Sequence, residues 1–477
     1  MPLTLSMEDS DMKKVFFWIK GIIFLCIAAL TICVVNVILL PKYMNDSQWP
    51  TTATFTQFYL LEDNSVDVLF LGSSHAASAF NPQVVYDREN ITSYNLASEQ
   101  QNLLVSYYWL KEALATQQPE AVVLDVLMLF DFITDEPLNT EEAMQRKSID
   151  FMKWSANKVE AVHDICTSDE EQDELSYYLT NIRFHERYKS LERNDFRFLE
   201  RLNDDNLYGF AALYGKASDY KWFTPFYEQS TDEIAEPNEL MLQYMDKITE
   251  LCRDNGIRLY LTKTPFENWT REQHNFVKQY AGSNDIEFID FNEKKTYDEC
   301  GYDFVEENDD GVHVNIWGAE RLSRYMAEKL KDDGLESSEN SRYEVSRTYY
   351  ASVMNLAMMS QEKEPEQFVR RLRDDDHLTF MIINGDIDER IFAITSFNHI
   401  SDHIAYHYGK VLTSSSEDCF DGYVGEAEVH VRVDDDMVMV NDEIYMTESK
   451  GIHFVVIDPD NGRIIMKRCF EGQEGNK

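Results

Sequence analysis

The apolar positions along this chain change their rhythm three times. Near the N-terminus they are continuous. Gly21 to Leu40 reads GIIFLCIAALTICVVNVILL, without a charge and with one strongly polar side chain, Asn36. At about 1.5 Å rise per residue this run spans roughly 30 Å, the thickness of a bilayer core. Phe16, Phe17 and Trp18 extend it, and Lys13, Lys14 and Lys20 flank that side against Lys42 on the other. The positive-inside bias puts the N-terminus in the cytoplasm and everything after residue 42 outside. A cleaved signal peptide is the main competitor and a buried helix the second. The run is long for a signal peptide, and Leu39-Leu40-Pro41-Lys42 is a poor cleavage site, so an uncleaved single-pass anchor in the cell membrane is expected.

From residue 66 short apolar runs alternate with segments of helical period. VDVLFLG (Val66–Gly72) reads as a buried parallel strand, Ser93–Leu96 as a second and AVVLDVLMLF after Pro119 as a third. Leu103–Gln117 is a helix between them. Leu240–Asn255 is helical, IRLYLTKTP after Gly256 is a strand, Arg271–Tyr280 a helix, Ile286–Phe291 a strand and Trp317–Leu330 a last amphipathic helix. Strands alternating with helices predict a parallel α/β sheet. An acidic and aromatic stretch, about residues 131–239, interrupts this rhythm. It reads as a mostly helical insertion over the top edge of the sheet, either a substrate lid or a partner surface.

After a polar segment, Lys331–Tyr343, the pattern predicts a helix over 344–373. A strand-rich module follows, in which HLTFMIING, EAEVHVRV, MVMVNDEIYM and GIHFVVIDPDNGRIIMKRCF alternate or are apolar. Asn461-Gly462 is a hairpin turn. The expected organisation is therefore a tail and anchor over 1–48, a catalytic α/β domain over 49–335 and a C-terminal α+β or β-rich recognition module over 336–477.

Charge narrows the partners. Asp and Glu number 86 against 44 Lys and Arg, a net charge of −42, which repels phosphate backbones and argues against nucleic acid. The seven cysteines include no CxxC, so neither a zinc framework nor a dense disulfide scaffold is indicated, though a Cys419–Cys469 bridge fits the C-terminal module. Asn45, Asn90 and Asn268 begin glycosylation sequons, which matter only in a host that uses them.

The chemistry gathers at strand ends. Val66–Leu71 runs into Gly72-Ser73-Ser74-His75, a serine on a tight turn at the C-terminal end of the first strand, where open α/β sheets hold their ligands. Asp310-Gly311-Val312-His313, followed by Asn315 and Gly318, opens the last helix. An Asp three residues before a His can orient the imidazole, and the His can take a serine proton. His75 beside the serine reads as structural. Lys263 reads as either a contact for an anionic substrate or a surface residue. His399, His403 and His407 recur every four residues, so on a helix they share a face, where three imidazoles are a candidate metal set beside the plainer reading of a helical face.

Gly72-Ser73-Ser74 and Asp310-x-x-His313 resemble the first and last blocks of the SGNH (GDSL-type) hydrolase superfamily. The likeness is closest to its membrane-anchored cell-envelope branch, which includes the D-alanyl transfer protein of the teichoic-acid pathway and polysaccharide acetyltransferases. It covers about residues 60–330 and implies a flavodoxin-like sheet with Ser74 as nucleophile and Asp310 and His313 completing a triad. Tyr94-Asn95-Leu96-Ala97 resembles the second block, with Ala97 where Gly is usual, and implies an oxyanion hole of backbone N–H groups near Ala97 and at Ser74. The third block, Gly-x-Asn-Asp, has no counterpart, which leaves Gln101 and Asn102 as candidates for its donor. Gly451–Phe470 resembles the ILEI/PANDER-type domain and implies a non-catalytic recognition module.

The expected function is a membrane-tethered extracytoplasmic esterase or O-acyltransferase acting on a cell-envelope glycan or an acylated carrier, without metal or cofactor. The charge of −42 favours a neutral or zwitterionic glycan. The alternative is an inactive SGNH-fold scaffold, for example the accessory partner of a multi-pass membrane acyltransferase.

Overall fold

The computed structural model describes residues 9–42, 48–133, 136–191, 193–196, 207–217, 230–372 and, beyond 378, a set of strands. Helix α1 (Asp9–Leu39) contains an apolar stretch, Lys14–Leu39, of mean hydropathy 3.0, of which 6% is buried against the rest of the chain. That length and composition suit a single membrane span, or a signal sequence. Helix α2 (Thr51–Phe58) follows, buried along nearly its whole length.

The α/β unit then builds in order: β1 (Val68–Gly72), α3 (Ser74–Ala79), α4 (Pro82–Glu89), β2 (Ser93–Ala97), α5 (Leu103–Ala113) and β3 (Ala121–Asp125). The inserted helices are α6 (Glu142–Ile149), α7 (Ala156–Ser168), α8 (Glu174–Tyr178) and α9 (Thr180–Phe184), with 3₁₀ turns at His185–Lys189 and Arg193–Phe196. The unit resumes with α10 (Glu239–Asp254), β4 (Arg258–Lys263), α11 (Arg271–Asn284), β5 (Glu287–Asp290), α12 (Lys294–Cys300), α13 (Phe304–Glu307) and α14 (Ile316–Asp332).

The five strands form one parallel sheet in the order β2-β1-β3-β4-β5. Strands β1, β2 and β3 are buried throughout, as helices on both faces of a parallel sheet require. One apolar layer joins Leu69, Leu71, Leu104 and Trp109. The other joins Val68, Phe70, Phe80 and Leu322. The strand order reverses between β1 and β3, so the crevice for a ligand opens there, at the carboxyl ends of the strands.

The helical reading of the insertion holds for its first half. Among the described residues further on, Leu207–Ala217 runs without helix into the second apolar layer. Gly209 is forced there, since its φ is +83° and a Cβ would fall 2.0 Å from the Asn95 carbonyl oxygen.

The polar segment after α14 is tied down rather than free. Ser338 N–H donates to Asn90 O, and its hydroxyl donates to Asp67. The long helix expected over 344–373 is broken into α15 (Arg342–Gln361) and α16 (Pro365–Arg371). Pro365 drives its predecessor, Glu364, into extended backbone. Helix α15 packs Tyr350 and Val353 on the α/β core and Leu356 and Met359 on the C-terminal strands.

Those strands are β6 (Leu378–Asn384), β7 (Asn398–His399), β8 (Ile404–His407), β9 (Val411–Ser416), β10 (Cys419–Val424), β11 (Ala427–Asp434), β12 (Met437–Val440), β13 (Glu443–Met446), β14 (Gly451–Ile457) and β15 (Ile464–Glu471). They form two antiparallel sheets, ordered β13-β12-β11-β10-β9 and β15-β14-β6-β8-β7. The expected hairpin pairs β14 with β15, and its Asn461-Gly462 turn lies outside the described residues. Two expectations fail here. His399 and His407 sit on antiparallel strands rather than on one helical face, and His403 lies outside the described residues. Cys469 is a free thiol 3.7 Å from His453 Nε2, and the Cys419 strand belongs to the other sheet, so the Cys419–Cys469 bridge is absent.

Candidate active site

Gly72 closes β1 with φ +139°, where a Cβ would meet the Cβ of Asp125 at 3.0 Å and of Ala76 at 3.2 Å. The chain turns sharply there. Ser73 follows in extended backbone, and its side chain accepts the His75 N–H to cap α3. Ser74 is thus the first residue of α3, half-buried at the sheet's carboxyl edge, among neighbours that are buried. The first N–H groups of a helix have no partner inside it, so the Ser74 backbone N–H is available to an oxyanion.

The opposite wall is the loop between α13 and α14. Asp309 N–H donates to His313 O, and Asn308 and Val314 form an isolated bridge. Asn315 secures the loop's exit. Its Oδ1 accepts from Trp317 and Gly318 N–H to cap α14, while its Nδ2 donates to Gly215 O and Glu306 O at 2.9 Å each.

Ser74 and His313, 239 residues apart, meet in this crevice. His313 Nε2 lies 3.0 Å from Ser74 Oγ, and His313 Nδ1 lies 2.9 Å from Asp310 Oδ2. A carboxylate only accepts hydrogen bonds, so Nδ1 carries the hydrogen and Nε2 is left to accept the serine proton. Asp310 Oδ1 also accepts the N–H groups of Val312 (2.9 Å) and His313 (2.8 Å). Burial pushes the Asp310 carboxyl up, but the hydrogen bond and charge of His313, with the two backbone N–H groups, outweigh it and hold the group at about 2. The Trp49 ring stands edge-on to the His313 ring, with centroids 5.6 Å apart.

Beneath Ser74 lies a buried polar cluster. Lys263 Nζ is 3.1 Å from His75 Nδ1, 3.0 Å from Thr264 O and 3.9 Å from Asp125 Oδ2. The side chains of Lys263 and Asp125 are fully buried, so Lys263 is not a surface residue. An ammonium only donates, which makes His75 Nδ1 an acceptor. Burial, then the charges of Lys263 and His313, press the His75 imidazole well below its ordinary range. Burial also raises the Asp125 carboxyl against the pull of Lys263, and lowers the Lys263 ammonium against that of Asp125 and Asp290. His75 therefore stays neutral beside the Asp310–His313–Ser74 line of contacts.

The register places Ala97 opposite Gly72, on the strand next to the one that presents Ser74. Gln101 and Asn102 are not free to serve an oxyanion. Asn102 Oδ1 caps α5 through Val105 N–H and its Nδ2 donates to Leu138 O, while Gln101 Nε2 donates to Leu96 O and Ser106 Oγ. Both side chains are buried and committed to the local turn.

Three contributors escaped the sequence reading. Trp49 is one, ten residues past the end of α1. The second is Gly215, whose N–H donates to Asp309 Oδ1. The third is Glu267, whose Oε2 is buried without a hydrogen-bond partner. Burial and then the charge of Asp310 raise the Glu267 carboxyl, and the same two causes, in that order, raise that of Asp309 against the pull of Gly215 N–H and His313. No periodicity or motif marks these positions. Only the folded crevice gathers them, and it gives the site an acidic rim.

No family model matches the chain, and no curated protein matches it. Two similar solved structures are a "putative acylhydrolase" from Bacteroides fragilis NCTC 9343 and a "GDSL-like lipase" from Bacteroides thetaiotaomicron VPI-5482. The first is 11% identical, covers 59% of this chain and 95% of its own, and has a TM-score of 0.27. The second is 12% identical, covers 59% and 98%, and has a TM-score of 0.26. At those TM-scores neither likeness bears on the chemistry.

Proposed function

We propose that this chain is a membrane-tethered, extracytoplasmic SGNH-type serine esterase or O-acyltransferase. The observation that carries the proposal is the line of contacts from Asp310 through His313 to Ser74, at 2.9 and 3.0 Å, within the reach that proton transfer demands. Ser74 Oγ attacks the carbonyl carbon of an acyl ester as His313 Nε2 takes its proton. The Ser74 backbone N–H, with a second backbone N–H near Ala97, would meet the developing oxyanion. His313 returns the proton to the departing alkoxide, leaving an acyl-enzyme and a free hydroxyl. Water then completes hydrolysis, or a sugar hydroxyl completes transfer, with His313 again the base.

The acidic rim of Asp309, Asp310 and Glu267 disfavours anionic polymers and suits a neutral or zwitterionic acyl glycan of the cell envelope. The tether is supported by the way the ectodomain holds the last turn of α1. Thr180 Oγ1 donates to Asn36 O, and Arg187 donates to Leu39 O at 3.0 Å. Cleavage after the apolar run would discard those bonds.

A fluorophosphonate probe on the purified chain tests the proposal. Covalent labelling abolished by Ser74→Ala supports it. An unlabelled wild type, folded by circular dichroism, rejects an activated serine and returns the chain to the scaffold reading.

A further inference from the structure

We infer that the insertion seats on the membrane surface, with the segments 180–191 and 193–196 lying in the headgroup layer around the exit of α1. This rests on the reading of α1 as a membrane span.

A helix ends with carbonyls that have no partner inside it. At the end of α1 the ectodomain adds such partners: Leu39 O accepts from Arg187, and Asn36 O, already bonded to Leu40 N–H, also accepts from Thr180 Oγ1 at 3.3 Å. Asn181 N–H bonds Asn36 Oδ1 at 3.1 Å. Lys42 folds back on Val37 O and bonds Asp195 O at 2.9 Å. Helix α9 and both 3₁₀ turns pack on α1. All these contacts fall within about one turn, or 5.4 Å, of the end of the apolar span, which is the depth of the membrane–water interface.

The same three short elements turn large apolar side chains outward. Ile182 is 39% exposed, Tyr188 65% and Phe196 62%. Arg183 and Lys189 stand beside them with half-exposed side chains, each also paired to a carboxylate. This stretch carries Arg183, Arg187, Lys189 and Arg193 against Glu186, Glu192 and Asp195, so it is close to neutral within a protein of net charge −42, and apolar and aromatic residues among such balanced charges are what a bilayer interface accepts. A bilayer is the occupant because the surface is continuous with α1, which is itself exposed. The consequence is positional. At most about 3.5 Å per residue separates Leu39 from Trp49, so the Trp49–His313 contact lies within roughly 35 Å of the interface.

The test uses the full chain in phosphatidylcholine vesicles containing phosphatidylglycerol, with a benzophenone amino acid placed singly at Ile182, Tyr188, Phe196, Leu25 or Val345. Leu25 lies within α1 and is 66% exposed, while Val345, 62% exposed, lies on α15, which bonds the start of β2 through Tyr343 and Ser93, whereas the insertion bonds Glu99 and Gln100 just past the end of that strand. Irradiation should give lipid adducts at 182, 188, 196 and 25 and none at 345. An adduct at 25 with none at 182, 188 and 196 overturns the seat alone. No adduct at 25 overturns the span and the seat together. An adduct at 345 equal to the others overturns the stated orientation.

Discussion

Replacing Asp310 by Asn changes one atom in the line of contacts and reverses its hydrogen-bond logic. In the native site both carboxylate oxygens accept: Oδ1 from the N–H groups of Val312 and His313, Oδ2 from His313 Nδ1. The Asn oxygen must stay with the two backbone donors, so its NH₂ faces Nδ1. That forces the imidazole to carry its hydrogen on Nε2, where it can no longer accept the proton of Ser74. The wrong tautomer costs up to about 10⁴-fold in a serine-protease triad, and general-base catalysis contributes about 10²–10⁴-fold. Asp310's side chain is 47% exposed, so water substitutes for part of its role. The expected loss is therefore about 10²–10³-fold in the second-order rate of fluorophosphonate labelling, or about 2.7–4.1 kcal/mol on the barrier. With the carboxyl held at about 2, its contribution is complete above the ordinary carboxylate range near pH 4 and is lost as pH falls towards 2. Titration of Asp310 itself should thus not alter the loss above about pH 5. A variant labelled within about threefold of wild type would refute Asp310 as the orienting group, because the tautomer switch alone demands more than that.

Three further outcomes follow from the fold. Gly72→Ala should lower unfolding free energy by about 1–3 kcal/mol from backbone strain alone, read by urea denaturation, because φ +139° excludes a side chain and Asp125 fills the space. Lys263→Met breaks a buried charge pair and should cost about 3–5 kcal/mol in the same assay, and an unchanged midpoint would mean that Asp125 is neutral in the fold. His75 is neutral in the fold while the unfolded chain protonates it below about pH 6.5, so stability falls as pH drops through that value; His75→Asn should flatten this slope, and an unaltered slope would place it on other groups.

Much of the architecture was legible in the residue pattern because it depends on local periodicity. The apolar run before Pro41, the buried strand ending at Gly72 and the amphipathic helix after Asn315 each follow from burial on one face or all round. Asp310 and His313 belong to the same class. Three residues apart in one turn, they meet without help from the rest of the chain. The meeting of His313 with Ser74 does not, since it needs β1 beside β3 at the centre of the sheet and α14 packed back across α3 and α4.

Where the pattern misled, two structures satisfied one spacing or one composition. His399, His403 and His407 recur every four residues, which is near the helical period yet also even, and so equally compatible with strands. Pairing of β8 with β6 decided the matter for His407. Gln101 and Asn102 have the groups an oxyanion hole requires, but the turn into α5 needed them first. Lys263 carries a charge that favours water, and only the carboxylate of Asp125 and the imidazole of His75 on neighbouring elements make its complete burial tolerable. The sequence by itself determined the apolar span, the strand–turn–serine and the Asp–His pair, each written within a few residues. Tertiary structure alone decided which of the remaining polar groups face the crevice and which are consumed in holding it, because groups such as Lys263 and His75, 188 residues apart, meet at positions that no local period encodes.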